Sequence, residues 1–321
     1  MNPATLSVRV ARKAMEATDI ATFELVEASG APLPPFAAGA HIDVHLPNGI
    51  TRQYSLCNDP GESHRYLIGV LRDPASRGGS QAMHDTVHEG DLLQISPPKN
   101  HFPLAHEARR SLLLAGGIGV TPILCMAERL AAIGAGFDMH YCTRSPDRTA
   151  FRQRIAGSSF ADRVSFHHDD GAAGQRFDLD AAVGQPEDGV HLYVCGPKGF
   201  MNAVLDGARA KGWPEAQLHY EFFAADLPGA EHDTAFEVQV ASSGRRVGVA
   251  PGQSVVAALA AAGVEIQTSC EQGVCGTCLT RVLAGTPDHR DAYLTPEEQA
   301  ANDQFLPCCS RAKSPLLVLD L

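Results

Sequence analysis

The sequence predicts a three-part protein: an antiparallel β-barrel, then an α/β domain with a parallel sheet, then a small α+β domain that carries a cysteine loop. Three observations support this order. Up to about Phe102, short alternating segments (SVRVARK, IATFELVEA, HIDVHLP, RQYSLCN and RYLIGVLRD) are divided by proline, glycine and asparagine turns. Side chains that alternate with period two between turn residues are the pattern of barrel strands. From about Arg110 the rhythm changes, as SLLLAG runs into VTPILCMAERLAAIG, FDMHYCTR into a short helical stretch, and HLYVCG into PKGFMNAVLDGARAKG. Apolar strands that alternate with helices imply a parallel, doubly wound sheet. Near the end, the hairpin-like FEVQVASSGRRVGVA and the helical SVVAALAAAGV lead to CEQGVCGTC, Cys270 to Cys278.

The expected boundaries are 1–103 for the barrel, 104–225 for the α/β domain, 226–234 for a linker and 235–321 for the last domain. The linker is read from AADLPGAEHDT, whose proline, glycine and charged residues suit an exposed connection. A chain of 321 residues with 44% hydrophobic content can fill more than one core. The start, MNPATLSVRVARK, lacks the apolar stretch of a secretory signal, and no segment approaches the ~20 apolar residues that span a bilayer. The expectation is a cytoplasmic protein without a membrane partner. The net charge of −11 comes with no basic stripe, which argues against nucleic acid as a partner.

Nine cysteines in a reducing compartment point to metal or redox chemistry rather than disulfides. Cys270, Cys275 and Cys278 are separated by four and then two residues, and Cys308 follows about thirty residues later. That is the plant-type spacing of a [2Fe–2S] cluster, in which four thiolates surround two irons. Gly273 and Gly276 allow the loop backbone to approach the sulfurs. A structural zinc site fits less well, because zinc ribbons pair two short-spaced knuckles and only one is present. Cys309 competes with Cys308 for the fourth position, and spacing favours Cys308. Cys57, Cys125 and Cys142 read as core thiols. His84 and His88 have i, i+4 spacing on the short helix expected after RGGS but lack a third ligand, and HHDD at 167–170 reads as a strand exit.

Across essentially its whole length the chain resembles the phthalate dioxygenase reductase family, the single-chain reductases of Rieske-type oxygenases and related vanillate demethylases. The motifs that carry the resemblance are RQYSLCND at 52–59, RGGS at 77–80, AGGIGVTP at 115–122, CGP at 195–197, the four cysteines, TPDHRD at 286–291 and SRAKSPLLVLDL at the C-terminus. The resemblance implies an FMN-binding barrel, an NADH-binding α/β domain and a β-grasp ferredoxin domain, in that order. It places Arg52 at the FMN phosphate, and Tyr54 and Ser55 at the flavin ring and its redox nitrogen. Gly78, Gly79 and Ser80 would hold the phosphate at a helix start, where free N–H groups and the helix dipole favour an anion. Gly69, Val70 and Leu71 would offer backbone groups to the ring edge.

In the nucleotide domain the resemblance implies that Gly116, Gly117 and Gly119 form the turn that nears the dinucleotide, that Thr121 lies beside the flavin, and that Cys195, Gly196 and Pro197 close on the nicotinamide. Cys195 reads equally as a buried thiol at a strand end. Arg144 and Ser145 are placed at the nucleotide phosphates or ribose, and Arg148 within reach of a 2′-phosphate, which leaves NADPH open beside NADH. Phe223 matches the position where an aromatic ring approaches the flavin, and Glu221 is a candidate for orienting the nicotinamide amide. The metal ligands are Cys270, Cys275, Cys278 and Cys308. The implied activity is hydride transfer from NADH to FMN, then single electrons to the cluster and to a terminal Rieske-type oxygenase. The alternatives are an FAD or NADPH variant, a carnitine-type monooxygenase as acceptor, a stand-alone flavin reductase, or a zinc-stabilised interaction module at the C-terminus.

Overall fold

The computed structural model describes residues 5–74, 78–225, 231 and 233–321. Arg77 of RGGS and most of the expected linker, 226–230 and 232, lie outside that set. The chain divides into two compact units, Met1–Glu221 and Phe222–Leu321.

The first unit opens with β1 (Leu6–Ala17), β2 (Ile20–Glu27), β3 (Ala40–His45), β4 (Thr51–Ser55) and β5 (Tyr66–Leu71), followed by α1 (Gly79–Thr86), β6 (Leu92–Ile95) and β7 (Lys99–Asn100). Among the described residues the antiparallel sheet runs β4-β3-β6-β1-β2-β5, with β7 on β3. Leu56, just past β4, pairs with Ile68 of β5, and this bridge joins the two edges into a barrel. Val8, Val10, Phe23, Ile42, Val44, Leu56 and Ile68 fill the interior. Burying such side chains contributes roughly 1.5–3 kcal/mol each. Helix α1 is held at its C-terminal end by Lys13, whose Nζ donates to the carbonyls of His84 at 2.6 Å and Val87 at 2.7 Å. The helix stops at Thr86, and Val87 is extended. His88 therefore lies beyond the helix, contrary to the expected helical pairing with His84.

The unit continues with β8 (Arg110–Gly116), α2 (Val120–Ala132), β9 (Gly136–Thr143), α3 (Arg152–Ala156), β10 (Val164–His168), α4 (Leu179–Val183), β11 (Val190–Cys195), α5 (Lys198–Ala210) and β12 (Leu218–Glu221). The strands form a parallel sheet in the order β10-β9-β8-β11-β12, so the winding direction reverses between β8 and β11. Barrel and sheet share one apolar core: Ile20, Ala38, Cys57 and Phe102 pack with Leu113, Ile123, Cys125, Phe151 and Tyr193. Cys142 is only partly buried.

The second unit holds β13 (Phe236–Val240), β14 (Arg246–Val249), α6 (Val255–Ala261), β15 (Thr280–Ala284), β16 (Pro287–Asp288), α7 (Pro296–Ala301), β17 (Gln304–Phe305), β18 (Arg311–Ala312) and β19 (Leu316–Leu319). Its main sheet runs β14-β13-β19-β15-β17, with β13 and β19 parallel at the centre. Ser254 caps α6 by accepting from the Ala257 N–H. Thr295 and Glu298 form a reciprocal capping box on α7. Asp233 ties the entry of this unit to its far end, pairing with Arg290 at 2.8 Å and Arg311 at 3.4 Å. Among the described residues no helix is long and apolar enough to cross a membrane.

Candidate functional site

Strand geometry brings three sequence-distant groups together in the first unit. Ser55 ends β4 and is 6% exposed. Glu221 ends β12, and in the ladder it stands opposite Cys195 at the end of β11. Ser55 and the Glu221 carboxyl are hydrogen-bonded, while Glu221 Oε2 is buried without a partner among the described residues. Burial disfavours the carboxylate and pushes Glu221 up to about 7, against the opposing effect of the Ser55 bond. Burial, followed by the Glu221 charge, holds Cys195 well above the ordinary thiol range. Thr121 sits in the first turn of α2, 2% exposed, with Oγ1 donating to the Ile118 carbonyl at 3.0 Å. Its Cγ2 lies 3.0 Å from where a Cβ on Gly69 would be, so the β5 strand and the α2 helix meet without room for a side chain.

A second constellation surrounds the start of α1. Gly78, at φ +91°, turns the chain into the helix, leaving the first helical N–H groups of Gly79 and Ser80 at its open end. A Cβ on Gly79 would lie 2.5 Å from Arg52 Cγ and 2.7 Å from Nε, so the guanidinium stem lies directly over the helix start. A helix dipole, N–H groups at a helix start and an arginine, whose Nη1 donates to the Thr51 carbonyl at 2.7 Å, are the elements from which phosphate cradles are built. Nearby on β4, the Tyr54 hydroxyl is buried without a partner among the described residues, and burial raises its pKa. Of the backbone groups expected at the ring edge, the Val70 carbonyl is engaged by His84 Nε2 at 2.9 Å.

The glycine turns after β8 and β11 meet at the reversal of the sheet, where open α/β folds bind ligands. A Cβ on Gly196 would stand 2.8 Å from Gly116 Cα, and one on Gly119 would overlap the Cys195 carbonyl. The two turns therefore pack backbone on backbone. Pro197 and Phe200 close over Gly116, 2.9 and 2.8 Å from its missing Cβ. Arg144 is exposed, and Ser145 Oγ donates to Asp147 at 2.5 Å. Arg148 is paired with Asp19 at 3.2 Å. His167 and His168 of HHDD bond His140 and Thr143 at 2.9 and 3.0 Å. Phe223, 39% exposed, lies past β12 in the second unit.

In the second unit all four expected ligand cysteines are buried, and their sulfurs contact one another in pairs, Cys270 with Cys275 and Cys278 with Cys308. Within each pair the shared hydrogen bond lowers one thiol, Cys275 and Cys308, and raises its partner. The loop N–H of Gln272 donates to Cys270 Sγ at 3.3 Å. Gly273 and Gly276 have φ of +73° and +71°, and a Cβ on Gly276 would run into the Tyr293 ring. Behind the loop, buried Asp291 accepts from the Leu294 N–H at 2.8 Å and from Ser310 Oγ at 3.3 Å. This is the structural work of TPDHRD. Among the described residues no three His, Cys, Asp or Glu side chains form a single-ion site. Cys308 also contacts Cys309, and the two pairs made by the four expected ligands match a two-iron cluster, in which each iron takes two cysteine sulfurs and shares two sulfides. A zinc centre needs four ligands around one ion.

Two contacts escaped sequence reasoning. The Ser55–Glu221 bond joins strands from opposite ends of the first unit, and neither segment signals the other. Phe200 over Gly116 follows only from the strand order.

Comparison with known proteins places the chain in a family. Residues 238–313 match the 2Fe-2S iron-sulfur cluster binding domain family. The chain is 58% identical over 307 residues to vanillate O-demethylase oxidoreductase of Pseudomonas putida, covering 95% of this chain and 96% of the relative. It is 42% identical over 317 residues to phthalate dioxygenase reductase of Burkholderia cepacia, covering 98% and 97% of the two chains. A solved structure described as phthalate dioxygenase reductase, a modular structure for electron transfer from pyridine nucleotides to [2Fe-2S], superposes with a TM-score of 0.83 at 41% identity, covering 99% of this chain and 98% of that one. The chain belongs to the family of oxygenase reductases that includes vanillate O-demethylase oxidoreductase and phthalate dioxygenase reductase.

Proposed function

We propose that this chain is the reductase component of a multicomponent oxygenase, carrying electrons from NADH through FMN and a [2Fe–2S] cluster to a separate Rieske-type enzyme that demethylates or hydroxylates an aromatic substrate. The observation that carries the proposal is the division of four buried cysteines into two pairs on a glycine-kinked loop, in a chain whose other unit holds a phosphate cradle and a buried serine–carboxyl pair. When bound, FMN takes hydride and the cluster passes single electrons.

The residues have distinct tasks. Arg52 and the α1 start hold the FMN phosphate, and a monophosphate suits the single cradle. The packed turns at Gly116–Gly119 and Cys195–Pro197 set the depth of the nicotinamide, because no side chain intervenes between their backbones. Ser55 keeps its hydroxyl toward the redox edge of the flavin, and Glu221 behind it keeps a proton available near neutral pH. Cys195 and Thr121 exclude water from that edge, both being 2% exposed or less. NADH is the expected donor; Arg148 is engaged by Asp19 at 3.2 Å, an exposed pair worth about 1 kcal/mol or less. Cys270 and Cys275 bind one iron, and Cys278 and Cys308 bind the other.

The test is anaerobic mixing of the purified full-length protein with NADH. Flavin bleaching followed by loss of the cluster's visible absorbance is expected, then turnover with an aromatic-demethylating or ring-hydroxylating oxygenase. Bleaching without cluster reduction would refute the relay.

A further inference from the structure

The second unit buries a fifth cysteine beside the four. Cys309 is 8% exposed, as is Cys308, and the two follow one another in a tight turn in which the Cys309 and Ser310 N–H groups both bond the Leu306 carbonyl, at 3.2 and 2.9 Å. Consecutive Cα atoms lie about 3.8 Å apart, so one turn presents two sulfurs to the same loop. Cys309 Sγ faces the loop backbone, 2.6 Å from where a Cβ on Gly273 would stand, and Gly273 lies between Cys270 and Cys275. The Cys308 sulfur contacts both Cys278 and Cys309. Cys278, Cys308 and Cys309 also share one small apolar cluster with Leu294 and Leu306. Cys125 shows the contrast of a thiol used only as filler, enclosed by the apolar core of the first unit far in sequence from any candidate ligand.

The other contacts of Cys309 Sγ are long: 3.7 Å to the Leu306 carbonyl and 3.8 Å to Ser310 Oγ. Thiol hydrogen bonds are weak, so this sulfur is held by packing in the apolar cluster rather than by a directional bond.

We propose that Cys309 is a reserve ligand for the [2Fe–2S] cluster, able to take the iron bound through Cys308 when that sulfur is lost to substitution or oxidation. The inference rests on Cys270, Cys275, Cys278 and Cys308 being the working ligands. In the exchange the bond from iron to Cys308 is replaced by one from iron to Cys309, which releases its proton to water, and no electron changes hands. Oxidation of a cysteine beyond the sulfenic state is irreversible, and a neighbouring thiol would keep the relay from losing its last station to one such event.

The experiment measures iron, acid-labile sulfide, visible absorption and the paramagnetic resonance of the dithionite-reduced full-length protein in Cys308→Ala, Cys309→Ala and the double variant. Cys309→Ala is expected to match the parent protein. Cys308→Ala should keep most of its iron with a shifted spectrum, and the double variant should lose more than about tenfold. If Cys308→Ala falls to the level of the double variant while Cys309→Ala keeps its iron, the reserve role is overturned and Cys308 stands as the working ligand. If Cys309→Ala loses iron and Cys308→Ala keeps the parent spectrum, or if the double variant keeps its iron, the ligand assignment itself fails. Should Cys308→Ala be recovered without iron, reconstitution with ferrous iron and sulfide decides: failure there, where Cys309→Ala succeeds, overturns the proposal.

Discussion

Replacing Glu221 by Gln keeps the shape and the bond to Ser55 but removes the charge. Burial moves this carboxyl from 4.5 to about 7, and at 1.36 kcal/mol per pH unit that difference is worth about 3 kcal/mol. Because the folded-state value is raised, the favourable contribution is complete below 4.5 and is lost as pH rises through about 7. At pH 8 nearly the full ~3 kcal/mol is gone, whereas at pH 5 the loss stays under about 1 kcal/mol. Glutamine has no such loss. For a unit of this size each kcal/mol moves the melting temperature by roughly 2–4 °C, so Glu221→Gln should melt about 6–12 °C above the parent protein at pH 8. The gap should nearly close at pH 5. Scanning calorimetry of the flavin-loaded protein across that range reads the effect directly. Parallel melting curves at all pH values would refute a buried carboxyl titrating near neutrality, and with it the proton-holding role.

Other outcomes follow from the same geometry. Ser55→Ala should slow flavin reduction by NADH about 10²-fold in stopped flow, while cluster content, measured as iron, stays unchanged. Gly79→Val should shed FMN, because its Cβ would meet Arg52 at 2.5 Å; flavin fluorescence after gel filtration measures the loss. His140, His167 and His219 are held below the usual 6.5, in each case chiefly by burial. The first unit should therefore lose stability as pH falls below 6.5, and His140→Gln should flatten that acid limb in a melting series.

The fold was legible wherever local chemistry decides it. Period-two segments became β1 to β5, strand–helix alternation became the parallel sheet, and Cys270, Cys275 and Cys278 fall within residues 238–313, which match the 2Fe-2S iron-sulfur cluster binding family. Long-range facts were not legible. Sequence rhythm separates barrel and sheet, yet Ile20 and Phe102 of one pack with Leu113 and Phe151 of the other, because the faces that meet are each internally regular. Nothing around Ser55 announces Glu221, since a hydrogen bond between strand ends is set by how two sheets stack. Which cysteine sulfurs meet also required coordinates, because spacing counts them without saying which lie side by side. The His84–His88 spacing misled, as the chain leaves the helix at Val87.

Barrel closure rests on the Leu56–Ile68 bridge, and Leu56 is the residue after Ser55. A sheet edge joined at so few points opens more readily than its long ladders do. The hydroxyl assigned to the flavin edge therefore sits at the latch of the barrel. Breathing of that seam is expected to disturb the Ser55–Glu221 bond as well, and amide exchange at Cys57, whose N–H bonds the Leu67 carbonyl across the seam at 2.9 Å, should report it.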